Sequence, residues 1–193
     1  MSVQNGFLAL LTQGPAYGSQ LQSEFLCRAA HRRQLNPGQV YSTLDRMIDQ
    51  GLVASAGATD DGLPLYELTP AGREAAAAWL STGPSDGRPD WDEMQDQVLI
   101  AASLDGGAAL TIADGYRVAY AERIRYLTHE ADSRALLAAN RAAELGAKAA
   151  IEWLDEVVSA LRKNPEALLQ ARSPERPRRG RRPAAESAAP AEA

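Results

Sequence analysis

Two helix starts, each a capping residue followed by proline, restrict the folds open to the first part of this chain: Asn36-Pro37 and Thr69-Pro70. Asn and Thr side chains accept hydrogen bonds from the unpaired amides of a first helical turn, and proline at the first position gives up no bond there. Gln39 stands where a capping-box partner belongs. Val40, Leu44 and Met47 follow at i, i+4 and i+7, and Ile48 extends the apolar face they make. Gly51 is a stop signal just after Gln50. Between the two helices, apolar runs at 52–58 and 63–68 flank Thr59-Asp60-Asp61-Gly62, and Asp-Gly in that setting predicts a hairpin.

Upstream, residues 3–13 carry Phe7, Leu8, Leu10 and Leu11 and read as a short buried helix that Gly14-Pro15 breaks. Residues 17–28 read as a second helix with Leu21, Phe25 and Leu26 inward. The helix opened by Thr69-Pro70 runs through an Ala-rich stretch to Trp79-Leu80. Residues 1–80 therefore read helix, helix, helix, hairpin, helix. That is a winged helix-turn-helix pattern with a two-stranded wing, in which a rigid helix can fill a major groove while the hairpin rests on the adjacent backbone.

Residues 81–90 contain Pro84, Gly87 and Pro89 and read as a linker. The pattern beyond is helical: 92–104, then 111–129 with Tyr116, Tyr120, Ile124 and Leu127 on one face, then 133–163. The last helix has a seam of Ala143, Ala147, Ala150, Leu154, Val157 and Leu161 in the heptad rhythm of packed helices. About 30 residues make a helix of about 45 Å, more than a small domain needs for its own core. Two readings fit: dimerisation through this seam, which we favour, and packing within one chain. The expected architecture is mostly α: a winged helix-turn-helix domain at 1–80, a linker at 81–90, and a helical dimerisation domain, with a possible effector site, at 91–165. A Pro/Arg/Ala-rich disordered tail is expected at 171–193.

Charge narrows the function. The chain carries −5 overall, which argues against general polyanion binding. Residues 1–80 hold five Arg and seven Asp or Glu, residues 81–170 carry −6, and residues 171–193 carry +3. The basic groups nearest the helix after Asn36 are Arg28, Arg32, Arg33 and Arg46, a local cluster of the kind that phosphate contacts require. Cys27 is the only cysteine, so neither a disulfide nor a cysteine metal site can form within the chain. His31 and His129 have no His or Cys at ligand spacing, and no phosphate loop or nucleophile elbow occurs. No enzyme, metal or cofactor is expected. No apolar run is long enough to span a bilayer and no signal peptide is evident, so a cytoplasmic location is expected.

The motifs resemble those of the PadR family of bacterial transcriptional regulators. The resemblance covers residues 7–80 and rests on Gly14-Pro15-Ala16-Tyr17-Gly18, Pro37-Gly38-Gln39-Val40-Tyr41-Ser42-Thr43-Leu44, Gly51-Leu52-Val53, and Tyr66-Glu67-Leu68-Thr69-Pro70-Ala71-Gly72-Arg73. It implies a homodimer that binds a palindromic operator in double-stranded DNA and represses a nearby gene. By position, Tyr17 and Tyr41 would contact the DNA backbone or orient against it, and Gln39, Ser42, Thr43 and Arg46 would face the groove, with Arg33 nearby. Family wings carry Arg or Lys after the turn glycine, whereas this wing reads Asp60-Asp61-Gly62-Leu63-Pro64-Leu65 and is left out of the contact set. The resemblance also implies a small aromatic or amphipathic effector near the dimer interface, for which Trp91 and Trp153 are the stacking candidates, with core packing as the plain alternative. A second class of function, a winged-helix protein-interaction module without DNA binding, fits the negative charge of residues 1–80.

Overall fold

The computed structural model describes residues 2–29, 31, 34–84, 89–127 and 133–173. It is mostly helical, with a mixed helix and strand region followed by an all-α region. Helix α1 spans Ser2–Leu11, and a two-residue strand β1, Ala16–Tyr17, leads into α2, Gly18–Arg28. Helix α3 is Pro37–Asp49, the hairpin is β2, Val53–Ala58, with β3, Pro64–Leu68, and α4 is Pro70–Trp79. Helices α5, Trp91–Leu104, α6, Gly106–Tyr126, and α7, Arg134–Lys163, follow.

The wing is part of a three-stranded antiparallel sheet in the order β1-β3-β2, rather than two strands alone. Ala16 and Tyr17 pair with Tyr66 and Leu65, so Tyr17 belongs to a strand and α2 begins one residue later than its periodicity predicts. Two residues carry no strand signal of their own; β3 supplies the partner that makes them one.

Phe7, Leu8, Leu10, Leu21, Phe25, Val40, Leu44, Met47, Val53 and Leu68 are buried in a first core. Phe7 and Phe25 meet edge to face with centroids 5.8 Å apart, a favoured aromatic geometry. Helix α5 is the wall shared with the second core. Its Ile100 belongs to the first, whereas Met94, Val98, Ala101 and Ala102 join Ile112, Tyr116, Ala150 and Leu154 in the second. Gln97 ties this junction together: its amide donates to the carbonyls of Trp79 and, at 2.8 Å, Thr82, and its oxygen accepts from the Tyr116 hydroxyl at 2.7 Å. Fully buried Asp96 lies 3.3 Å from His31 in the α2–α3 connection. His31 is thus partly covered by α5.

Helix α6 starts five residues before the expected position, because the Asp105 carboxylate accepts from Gly107 N at 2.7 Å and caps it. Ser133 caps α7 through Leu136 N at 3.2 Å. The α7 seam is spent inside the chain. Ala147, Ala150, Leu154 and Leu161 are buried in the second core, and Ala143 and Val157 are half-buried. Four of the six residues expected to form a dimer seam are thus buried within one chain: spacing specifies a packing stripe but not which helix fills it. The expected tail begins with residues 171–173 lying ordered against the first region, and residues 174–193 are outside the described set. Among the described residues no helix is long and apolar enough to cross a membrane.

Candidate nucleic-acid interface

Helix α3 is held at both ends by local chemistry. At its start the Asn36 carboxamide oxygen accepts from Gly38 N at 2.8 Å, with Pro37 in the first turn. At its end Leu52 N donates to Met47 O at 2.9 Å and Gly51 N to Ile48 O at 2.8 Å. This is the paired bonding of a Schellman stop, with Gly51 at a φ of 67°, a conformation open to glycine. The chain turns directly from this stop into β2.

The wing returns to the same point. Thr69 N donates to Leu52 O at 3.1 Å, and Thr69 Oγ1 donates to Gly51 O at 2.7 Å while accepting from Gly72 N at 3.0 Å. A Cβ on Gly72 would fall 1.9 Å from Leu52 O, so α4 presses on the turn that ends α3.

Turning at about 100° per residue, α3 buries Val40, Thr43, Leu44 and Met47 and exposes Gln39, Tyr41, Ser42, Asp45, Arg46 and Asp49. Thr43 is 2% exposed, which corrects its expected place in the groove-facing set. It lies three residues after Val40 and four before Met47, within the apolar stripe, and its polarity obscured that position. Tyr17 is buried at 7% exposure in β1 and so does not offer a free ring. Tyr41 is 44% exposed and lies on α2: a Cβ on Gly18 would come within 2.8 Å of Tyr41 Cε1. The second glycine of the first motif thus makes room for the tyrosine of the second. The first turn of α2 beside this contact presents half-buried Ser19 and Gln20, which no sequence motif marks. Their signal was position, at a helix start, more than residue type.

The electrostatics differ from the sequence expectation. Arg28 is 4% exposed and pairs with Glu24 one turn away on α2, so it is removed from the expected basic cluster. Arg32 and Arg33 lie outside the described residues. On the exposed face of α3, Arg46 is accompanied by Asp45 and Asp49. Beneath the helix, burial and then Asp45 push the Tyr66 hydroxyl above its ordinary pKa. At the wing tip Thr59 Oγ1 donates to Asp61 Oδ1 at 2.5 Å, and Leu63 N donates to Thr59 Oγ1 at 3.0 Å. One of the two tip carboxylates is therefore engaged in building its own turn.

The effector candidates are separated. Trp91, 40% exposed, lines a hollow of about 300 Å³ with Pro89, Asp90, Tyr120, Arg123 and Gly146. Burial, then Asp90, pushes the Tyr120 hydroxyl up to about 12. Trp153 does not line this hollow; it packs half-buried against the second core. Among the described residues no cluster of His, Cys, Asp or Glu could hold a metal ion.

A capped, exposed helix at the second position of a helix-turn-helix, with a hairpin returning beside it, defines a winged helix-turn-helix protein. Residues 7–78 match the model of the transcriptional regulator PadR-like family. The crystal structure of Bacillus subtilis PadR in complex with operator DNA aligns at 16% identity over 83% of this chain and 99% of that one, with a TM-score of 0.41. The complex of Bacillus subtilis PadR with p-coumaric acid aligns at 16% identity over 83% and 96%, with a TM-score of 0.37. A PadR-like regulator from Bacillus cereus aligns at 16% identity over 83% and 98%, with a TM-score of 0.36. No curated protein matches the sequence.

Proposed function

We propose that this chain is a homodimeric, sequence-specific repressor that reads a palindromic operator through α3 and is released by a small-molecule effector. The observation that carries the reading is the outward face of α3. Gln39, Ser42 and Arg46 stand exposed on a helix fixed at both ends, and Tyr41 is braced on Gly18. Amide, hydroxyl and guanidinium groups are the donors and acceptors that read base edges in a major groove. Arg33, beside the start of this helix, is assigned to phosphate.

The domain division follows the same logic: residues 1–80 read DNA, 81–90 connect, and 91–165 associate and sense. The α7 seam is occupied within the chain, so association falls to other surfaces. The exposed apolar residues Val118, Tyr126, Leu136, Leu137 and Leu145 on α6 and α7 are available for it. The hollow beside Trp91 has the aromatic wall and the nearby cation, Arg123, that suit a planar anionic or phenolic ligand. Quenching of Trp91 fluorescence by such ligands, lost in Trp91→Phe, tests that part.

The whole reading is tested by selecting fragments of the source genome with the purified protein over competitor DNA. An inverted repeat bound as one dimer per site supports it; recovery of no specific fragment overturns it. One observation favours a second reading, a winged helix that docks on protein. Asp45, Asp49, Asp60 and Asp61 bring carboxylates to the two elements that would approach phosphates. Failure of the selection, combined with capture of a basic partner protein by the exposed α3 face, would establish it.

A further inference from the structure

After α7 the chain does not leave the molecule. Residues 164–173 run back over the junction and end on α1 and α2. Pro165 O lies so close to Gly106 that a Cβ there would come within 2.3 Å. Gln170 N donates to Ser103 O at 3.0 Å, and Gln170 O accepts from Arg28 Nη2 at 3.0 Å. Cys27 Sγ donates to Gln170 Oε1 at 3.6 Å. Ser173 N donates to Glu24 Oε1 at 2.8 Å, so the Glu24–Arg28 pair grips the segment from both sides.

Arg172 is the deepest anchor. Its Nη1 donates to Pro15 O at 2.8 Å, and its Nη2 donates to Leu10 O at 2.8 Å and Gly14 O at 3.0 Å. These carbonyls belong to the last turn of α1 and the Gly-Pro turn after it, where backbone oxygens run short of helical partners and the helix dipole favours a cation. The planar guanidinium fork reaches all three, which a lysine point charge does not.

We propose that Arg172 is a positioning residue: it straps the far end of α7 to α1 and α2 and thereby fixes the orientation of the DNA-reading helix relative to the α6–α7 unit. The physical reason is leverage. Helix α5, with Leu80 on the second core and Gly83 against Gly115 of α6, holds the two regions together at one end of α7, and packing confined to one end permits hinge motion. The strap adds a second attachment more than 140 residues away in sequence, as in the Arg172–Leu10 and Arg28–Gln170 bonds. Two separated attachments remove the hinge. In a dimer the same restraint would set the distance between the two reading helices, a consequence that rests on the function proposed above.

The test uses the full chain and does not require DNA. Spin labels are placed at Asp49→Cys on α3 and Ala160→Cys on α7, both exposed, in a Cys27→Ser background, and diluted with unlabelled protein. The expected result is one narrow intrachain distance distribution that becomes broad or multiple in Arg172→Ala and stays broad in Arg172→Lys, with helix content unchanged. An unchanged narrow distribution in Arg172→Ala overturns the proposal, because that packing alone would then fix the geometry. Full recovery by Lys overturns the three-carbonyl fork as the cause. On DNA, Arg172→Ala should keep its affinity for an isolated half-site and lose about tenfold of its preference for the native half-site spacing, the scale of one lost charged hydrogen bond. Equal weakening on every spacing would contradict positioning. If the unmodified protein binds no specific DNA, the proposed function fails while the label distances still decide the strap.

Discussion

The Thr69 hydroxyl donates a 2.7 Å hydrogen bond to the carbonyl of Gly51, joining the exit of the wing to the exit of α3. Two sequence motifs 18 residues apart therefore form one structural unit. Gly51 ends α3, Leu52 offers its carbonyl to Thr69 N, and Gly72 leaves room for that same carbonyl. The direction of α3 is thereby fixed by the wing's return as well as by its own core face.

Thr69→Ala removes both that bond and the cap of α4. The expected cost is about 1–2 kcal/mol, read as a lower urea midpoint with an unchanged slope. Gly72→Ala should be far worse, since the new Cβ would meet backbone 1.9 Å away, and little folded protein is expected. An unchanged midpoint for Thr69→Ala would separate the two motifs energetically.

Gly18→Ala forces the Tyr41 ring off α2, because the added Cβ comes within 2.8 Å of it. The ring is the exposed end of a side chain and can move, so the fold should survive while specific DNA binding falls by about tenfold. In a Tyr41→Ala background the same change should have little further effect. Additive losses would show that Gly18 acts through something other than Tyr41.

Asp45 and Asp49 are exposed on the α3 face with Arg46. Converting either to Asn should tighten binding to DNA of any sequence, most clearly at low salt, and so lower the ratio of specific to non-specific affinity. Weaker non-specific binding after these changes would place the α3 face away from DNA.

Glu144 on α7 accepts from Lys148 Nζ at 2.6 Å and Arg141 Nη1 at 2.8 Å. These two bonds, Lys148 first, hold its carboxyl at about 2, below the ordinary 4.5. A depressed folded-state pKa stabilises above the unfolded value, so this contribution is complete above pH 4.5 and is lost as pH falls toward 2. Glu144→Gln should destabilise at neutral pH and flatten the fall in Tm across that window. The same acid slope in both proteins would assign it to other carboxylates.

Much of the N-terminal unit was legible because its punctuation is local chemistry. Asn36, Gly51, Asp61-Gly62 and Thr69 act within a turn of their own position, and each marks the boundary it predicts. What sequence could not supply was partner identity. The α7 seam has a heptad rhythm, but only the fold shows that α6 fills it. Ala16 and Tyr17 become a strand only beside β3. Arg28 counted as a surface cation until Glu24 and the returning chain enclosed it. Thr43 differs in kind, since its angle on the helix places it in the apolar stripe while its hydroxyl suggests the polar face. The segment ending at Ser173 has few large apolar residues, and it docks through hydrogen bonds that no hydrophobic pattern encodes.

The central claim is that α3 reads DNA, and specific-site affinity of Arg46→Ala and Tyr41→Ala tests it most directly. Both residues are exposed, so neither truncation should unfold the domain. On a fragment recovered by genomic selection, each variant should lose about tenfold or more in specific affinity. Each should also keep the unmodified protein's thermal midpoint to within a few degrees. Full specific affinity in both folded variants would contradict the assignment of α3 as the reading helix.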